Sequence, residues 1–206
     1  MFRQRFTSWL SALVMLFMAA GVAHAQQAPD ALVKQVSNEV LEAAKADKSI
    51  QAGDLRKIIA LVETKVMPHV NFKRMTSSAV GRYWRQATPE QQQRLQEEFK
   101  ILLVRTYAGA LSQAKDKTVQ LKPSRAAPTD TEIVVRTEIR GNGDPIQLDY
   151  RMEKAGDDWK IYDVNVLGVW LVDNYRNSFA QEISAGGIDG LINKMAERNK
   201  AAAARS

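Results

Sequence analysis

An α+β fold is predicted for this 206-residue chain by three changes in the spacing of its apolar residues. As far as Leu111 they recur every three or four positions, the spacing of helices with one buried face. From Thr118 they alternate with polar residues, as in strands of a sheet with one buried side. After Gly168 the helical spacing returns. N-terminal helices, a four-stranded antiparallel meander and C-terminal helices describe one curved sheet covered on one face. Such a pairing encloses a cone-like cavity wherever the helices stand off the sheet. Periodicity leaves open whether side chains fill that interior.

The chain begins with an export signal. Arg3 and Arg5 form a basic start, Trp9 to Ala20 is uncharged and apolar, and Ala23-His24-Ala25 offers small residues at the two positions a signal peptidase reads. The run is short for a bilayer span, and no second one follows. Cleavage after Ala25 and a soluble periplasmic product are expected, with residues 26–200 as a single domain and 201–206 as a frayed tail. There is no cysteine, so the exported domain relies on its core rather than on disulfides. Net charge is +6; without Arg3 and Arg5 it is +4, from 27 basic and 23 acidic residues. The surplus is scattered, and no basic stripe with interleaved aromatics marks a nucleic-acid surface.

Taken in order, the first helix opens at Pro29-Asp30 and presents Leu32, Val33, Val36, Val40, Leu41 and Ala44 on one face. Lys45 to Gly53 is polar and ends it. Asp54 caps a second helix bearing Leu55, Ile58, Ile59, Val62 and Val66, which Pro68 stops. A third runs from Val70 to Val80 and ends at Gly81. Thr88-Pro89-Glu90-Gln91 is the clearest helix start: a cap, a proline at the first position and a capping box. That helix continues through Leu95, Phe99, Leu102, Leu103, Tyr107 and Leu111.

The first strand is Thr118 to Leu121. In the second, Ile133, Val135, Thr137 and Ile139 alternate with Glu132, Val134, Arg136 and Glu138, up to a hairpin signal at Gly141-Asn142-Gly143-Asp144. Ile146, Leu148, Tyr150 and Met152 form the next inward set, and Tyr162, Val164 and Val166 the last. Gly168 turns the chain into a helix from about Trp170 to Ser184, and a break at Gly186-Gly187 precedes a short final helix.

Enzyme chemistry finds little support. Beyond the leader His69 is the one histidine and there is no cysteine, which argues against a zinc or cysteine-histidine site, and its place beside Pro68 suits a boundary residue. Asp149, Asp163 and Asp173 are the carboxylates available for a pair, but Asp149 and Asp163 occupy polar-face strand positions where solvated charge is expected. No nucleophile elbow, phosphate-binding loop or dinucleotide fingerprint is present. No catalytic residue, metal or cofactor is expected.

The run Trp159-Lys160-Ile161-Tyr162-Asp163-Val164, followed by Gly168-Val169, Leu171-Val172, Asn174-Tyr175-Arg176 and Phe179, resembles the MlaC family of periplasmic phospholipid-carrying proteins, the toluene-tolerance auxiliary family of ABC transport. Pro68, Val70, Phe72, Met75, Gly81, Trp84 and Arg85 agree with it, as do Thr88, Gln91, Phe99, Leu103, Thr106-Tyr107-Ala108, Leu111 and Pro145 through Tyr150. Asn71 stands where an acid is common in the family, and Leu167 and Trp170 where an acid and a small hydroxyl residue are common. The resemblance implies a monomeric carrier moving phospholipid cargo between an outer-membrane lipoprotein complex and an inner-membrane complex of an MCE protein and an ABC transporter, maintaining outer-membrane lipid asymmetry. Exposing about thirty methylenes of two acyl chains costs roughly 24 kcal/mol, so such a carrier must enclose the tails, in a cavity at or beyond the upper end of ordinary pocket sizes. The headgroup can stay in water without a charged clamp. The lining implied is Ile133, Val135, Ile139, Ile146, Leu148, Tyr150, Tyr162, Val164 and Val166 of the sheet, faced by Leu103, Tyr107, Trp170 and Tyr175. Arg176 is expected to serve as an ion-pair partner. The alternative is a solidly packed periplasmic adaptor that holds no lipid.

Overall fold

A computed structural model describes residues 27–123, 127 and 129–203 of the chain. The leader at 1–25 and the tail residues 204–206 lie outside the described residues.

Helix α1 (Pro29–Ala46) ends at Asp47, whose carboxylate accepts from the Ser49 and Ile50 amides and so starts a one-turn helix, α2 (Lys48–Gln51), within a stretch too polar to show helical spacing. Asp54 caps α3 (Leu55–Leu61) in the same way. The α-helix ends before Pro68 is reached: Val62–Val66 is a π-helical turn and Met67–His69 a 3₁₀ turn. Asn71 caps α4 (Phe72–Val80), and Gly81 at φ 65° takes the chain out of it. At the start of α5 (Pro89–Ser112) Thr88 and Gln91 form both halves of the capping box.

The sheet is antiparallel in the order β1 (Thr118–Leu121), β2 (Glu132–Arg140), β3 (Ile146–Ala155), β4 (Asp158–Val166) and β5 (Val169–Trp170). It therefore has five strands where four are expected. The fifth forms because the chain reverses at Leu167 and Gly168, which have φ values of 53° and 90°, and pairs Val169 with Val166 and Trp170 with Asn165. Trp170 consequently belongs to a strand, and the last helix, α6 (Leu171–Ala203), begins one residue later. It breaks at Gly187, where φ is 69°, and stays helical through Ala203, into the stretch expected to fray.

Three apolar clusters hold the layers together. Phe72 of α4, Phe99 of α5, and Tyr175 and Phe179 of α6 form an aromatic knot with ring centroids 5.0–5.8 Å apart. Such pairs add about 0.5–1.5 kcal/mol each beyond area burial. Leu32, Val33 and Val36 of α1 pack on Ile133, Val135, Met152, Trp159 and Ile161 of the sheet. Ala44, Ile50, Ile58 and Leu61 close the remaining side against α5 and Ala114.

The outer face of the sheet is not simply solvated. Asp149 and Asp163, expected to be solvated charges, are 5% and 1% exposed. Asp163 Oδ1 accepts from the Val172 amide at 3.0 Å and the Val164 amide at 2.9 Å, while Oδ2 meets Arg151 at 2.9 Å. A strand carboxylate thus satisfies the positive first turn of α6. Burial pushes the Asp163 carboxyl above its ordinary range, against those two amides and the Arg151 charge. Arg151 also reaches Asp173 and lies 3.9 Å above the Trp170 ring. Arg176 pairs loosely with Asp173 at 3.9 Å and donates to the Ser78 carbonyl, tying α6 to α4.

Candidate functional site

The register of the strands shows where the interior opens. Across the sheet run the rows Val119–Ile139–Ile146, then Thr137–Leu148–Val166, then Val135–Tyr150–Val164, then Ile133–Met152–Ile161. Val119, Ile139, Ile146, Leu148, Val166 and Val164 are half-buried; Thr137, Val135 and Tyr150, and then Ile133, Met152 and Ile161, are buried. The gradient defines an open end at the β2–β3 hairpin and a closed end where α1 fills the space.

Between the open rows and the helices lies a cavity of about 370 Å³. Val33, Val36, Val40 and Leu41 of α1, Ile58 of α3, Val62 and Val66 of the π turn, and Val104, Tyr107, Ala110 and Leu111 of α5 form its helical wall. Val119, Ile139, Ile146, Leu148, Tyr150, Ile161, Val164, Val166 and Leu171 form the opposite wall. Among the described residues, Ser37, Gln113 and Lys117 are the only lining residues that are neither aliphatic nor tyrosine. The π turn matters here, because its wider ring re-aims Val62 and Val66 within a helix that otherwise follows α-helical spacing. Burial raises the hydroxyl pKa of both Tyr107 and Tyr150, and Tyr150 Oη faces Ser37 Oγ at 3.5 Å.

The volume is near the lower end of ordinary pockets, not at the upper end as expected. The inner rows of the sheet carry the right residues, but Leu32 and Val33 of α1 occupy them as core.

Of the lining residues expected from the sequence, Tyr107, Ile139, Ile146, Leu148, Tyr150, Val164 and Val166 meet at this cavity. Ile133 and Val135 face the same way but lie in the closed end. Leu103 and Tyr175 belong instead to the aromatic knot, because α5 splits its contacts: Leu95, Phe99 and Leu103 face α4 and α6, and Val104, Tyr107 and Leu111 face the cavity and α1–α3. Trp170 stacks under Arg151 on the outer face.

Tyr162 is the instructive correction. Arg151 pairs with Asp163 and Met152 with Ile161, so Tyr162 is an extra residue opposed by none, a β-bulge. Trp159 and Ile161 face inward before it, and Val164 and Val166 after it. Tyr162 itself turns outward, donates to Glu132 at 3.1 Å and carries Arg74 3.6 Å above its ring. The bulge adjoins the place where Val70 bridges to Ile161 and the Asn71 amide donates to the Ile161 carbonyl at 2.8 Å. Tyr162→Ala is accordingly expected to cost about 1 kcal/mol of stability through lost stacking, which a thermal melt checks. Asn71, unusual in sequence, has a local reason. Its Oδ1 accepts from the Arg74 amide and its Nδ2 donates to Glu153 at 2.7 Å, where a carboxylate would face like charge.

Most of the missed lining residues are on helices; Val119 and Ile161 are on strands. The apolar faces of α1 and α3 were visible as periodicity, yet periodicity does not say whether a face meets core or open space. Ile161 was hidden by the bulge, whose only trace is the change of inward parity between Ile161 and Val164.

His69 is partly buried in its 3₁₀ turn, and desolvation, then Lys160, lowers its pKa. Among the described residues no group of three or more acidic or histidine side chains is arranged for a metal ion, and no helix is long and apolar enough to cross a membrane.

Comparison with known proteins agrees with the fold. A phospholipid-binding protein from Ralstonia solanacearum, solved in complex with a phospholipid, superimposes with a TM-score of 0.81 at 48% sequence identity, over 87% of this chain and 98% of that one. The intermembrane phospholipid transport system binding protein MlaC of Haemophilus influenzae is 25% identical over 190 residues, 90% of this chain and 89% of its own. The toluene tolerance protein ttg2D of Pseudomonas putida is 28% identical over 185 residues, 86% of each chain. The family model of the MlaC protein matches residues 34–197, and the chain belongs to that family.

Proposed function

We propose that this protein is a periplasmic phospholipid carrier, exported with cleavage after Ala25, that shuttles lipid as a monomer between an outer-membrane lipoprotein complex and an inner-membrane complex of an MCE protein and an ABC transporter. The observation that carries the reading is the cavity: an apolar chamber between sheet and helices, open at one end, in a chain that is 48% identical to a protein solved with phospholipid bound. A ligand's acyl chains leave water by entering it, each methylene contributing about 0.8 kcal/mol. Lipid moves by partition between cavities during docking, so no bond is made or broken and no catalytic group is required. The turn at Leu167 to Val169 projects from the edge of the cavity between Val166 and Leu171, with Leu167 65% and Val169 51% exposed. It is the apolar part of the rim that a docked partner would meet.

Native mass spectrometry of protein purified from periplasm without detergent, followed by lipid extraction, tests the reading. A mass excess that resolves into phospholipids of mixed headgroup is expected. A clean apo mass with no uptake from liposomes would reject the carrier in favour of the packed adaptor.

A further inference from the structure

We propose that Lys117 is a headgroup site, holding the phosphodiester of the lipid whose tails fill the cavity; this rests on the carrier reading above. Three observations converge on it. First, Lys117 is the one charged residue among those lining the cavity, and it precedes β1 by a single position, beside the open-end row of Val119, Ile139 and Ile146. Second, it is held there. Its amide donates to the Ala114 carbonyl at 3.0 Å and its Nζ donates to the Asn142 carbonyl at 3.0 Å. Gly141 lies flat against it: a Cβ at that position would come within 2.7 Å of both Lys117 Cδ and the Asp116 carbonyl. Asn142 Nδ2 donates to Asp116 at 3.1 Å, so the hairpin grips the connector from both sides.

Third, its charge is unspent. The neighbouring cations Lys122 and Arg140 both pair with Glu138, and the Asp116 carboxylate is engaged by Asn142. Lys117 has no ion-pair partner among the described residues. An ammonium has three donors, and one is used by Asn142. The other two sit where a lipid threaded tails-first leaves its first charged group. Gln113, on the same rim, adds an amide. The phosphodiester is the part common to phospholipids of different headgroup, so this site selects phospholipid from neutral diacylglycerol while leaving the headgroup alcohol unread. A charged clamp, unnecessary for enclosing tails, supplies that selection.

The test offers the protein vesicles containing equal amounts of phosphatidylglycerol and diacylglycerol with identical chains, and counts bound lipid by native mass spectrometry. The natural protein is expected to favour the phospholipid by about tenfold, the size of a charge-assisted hydrogen bond. Lys117→Met should bring the ratio near one, and Lys117→Arg should restore it. Gly141→Ala, which displaces Lys117 without changing it, should lower the ratio as well. An unchanged ratio in Lys117→Met overturns the proposal, as does binding of chain-free glycerol 3-phosphate with the same dependence on Lys117, which would mark a free-anion site. Uptake of both lipids at equal levels by the natural protein rejects the headgroup site alone. Uptake of neither rejects the carrier reading with it.

Discussion

Leu148→Glu and Val164→Asp are expected to empty the protein of lipid while leaving it folded. Both side chains are half-buried and line the cavity in adjacent rows, Leu148 toward its open end and Val164 one row further in. A carboxylate there would have to lose its hydration whenever acyl chains enter, with no cation among the neighbouring lining residues of the sheet. Desolvating an unpaired charge costs several kcal/mol, and about 3 kcal/mol corresponds to more than a hundredfold weaker retention. Without lipid each new carboxylate can face the open end and stay wet, so the fold is retained. Lipid extraction beside circular dichroism and a thermal melt reads both halves. Lipid retained at normal occupancy by a folded variant would remove that residue from the lining.

Asp163→Ala should have the largest effect on stability, though it touches nothing in the cavity. The carboxylate serves three groups: Arg151, the Val164 amide and the Val172 amide, the last in the first turn of α6. Removing it leaves the Val164 and Val172 amides without their acceptor and Arg151 with only the longer 3.5 Å contact to Asp173, which costs about 3 kcal/mol. For a domain of this size that lowers the melting temperature by on the order of 10 °C. The raised pKa of Asp163 is a separate matter: it compares the two protonation states at the site, whereas alanine removes both. Asp163→Asn, which keeps the volume and an acceptor, is expected to lose roughly half as much. If the alanine variant melts with the natural protein, β4 is not what anchors α6.

Most of the architecture was legible because it is written in local chemistry. Thr88 and Gln91 cap α5 by contacts three residues apart, Asp54 caps α3 over the same span, and the alternation in β2 and β3 reports the one sheet face that packs. Each such signal needs only neighbours along the chain. The one-turn α2 and the two-residue β5 were not legible, since neither is long enough to show a period.

The cavity was half legible. Ile139, Ile146, Leu148, Tyr150, Val164 and Val166 were named as one apolar face, and they do share a wall. Tyr162 was assigned with them on parity alone, and a single unopposed residue in β4 reversed that parity. The bulge lies where Val70 and Asn71, some ninety residues earlier in the chain, meet Ile161.

The order of helices and strands, the caps, the inward face of the sheet and the family can all be read along the chain, because propensity, periodicity and motif act over a few residues. Which apolar faces pack solid and which stand apart is settled in three dimensions: α1 fills the sheet at Ile133 and Val135 yet leaves it open at Leu148 and Ile146. Burial of an apolar side chain is favourable against any apolar neighbour, protein or lipid, so the residues are the same in both cases. The distance between two layers, set by long-range packing, makes the difference.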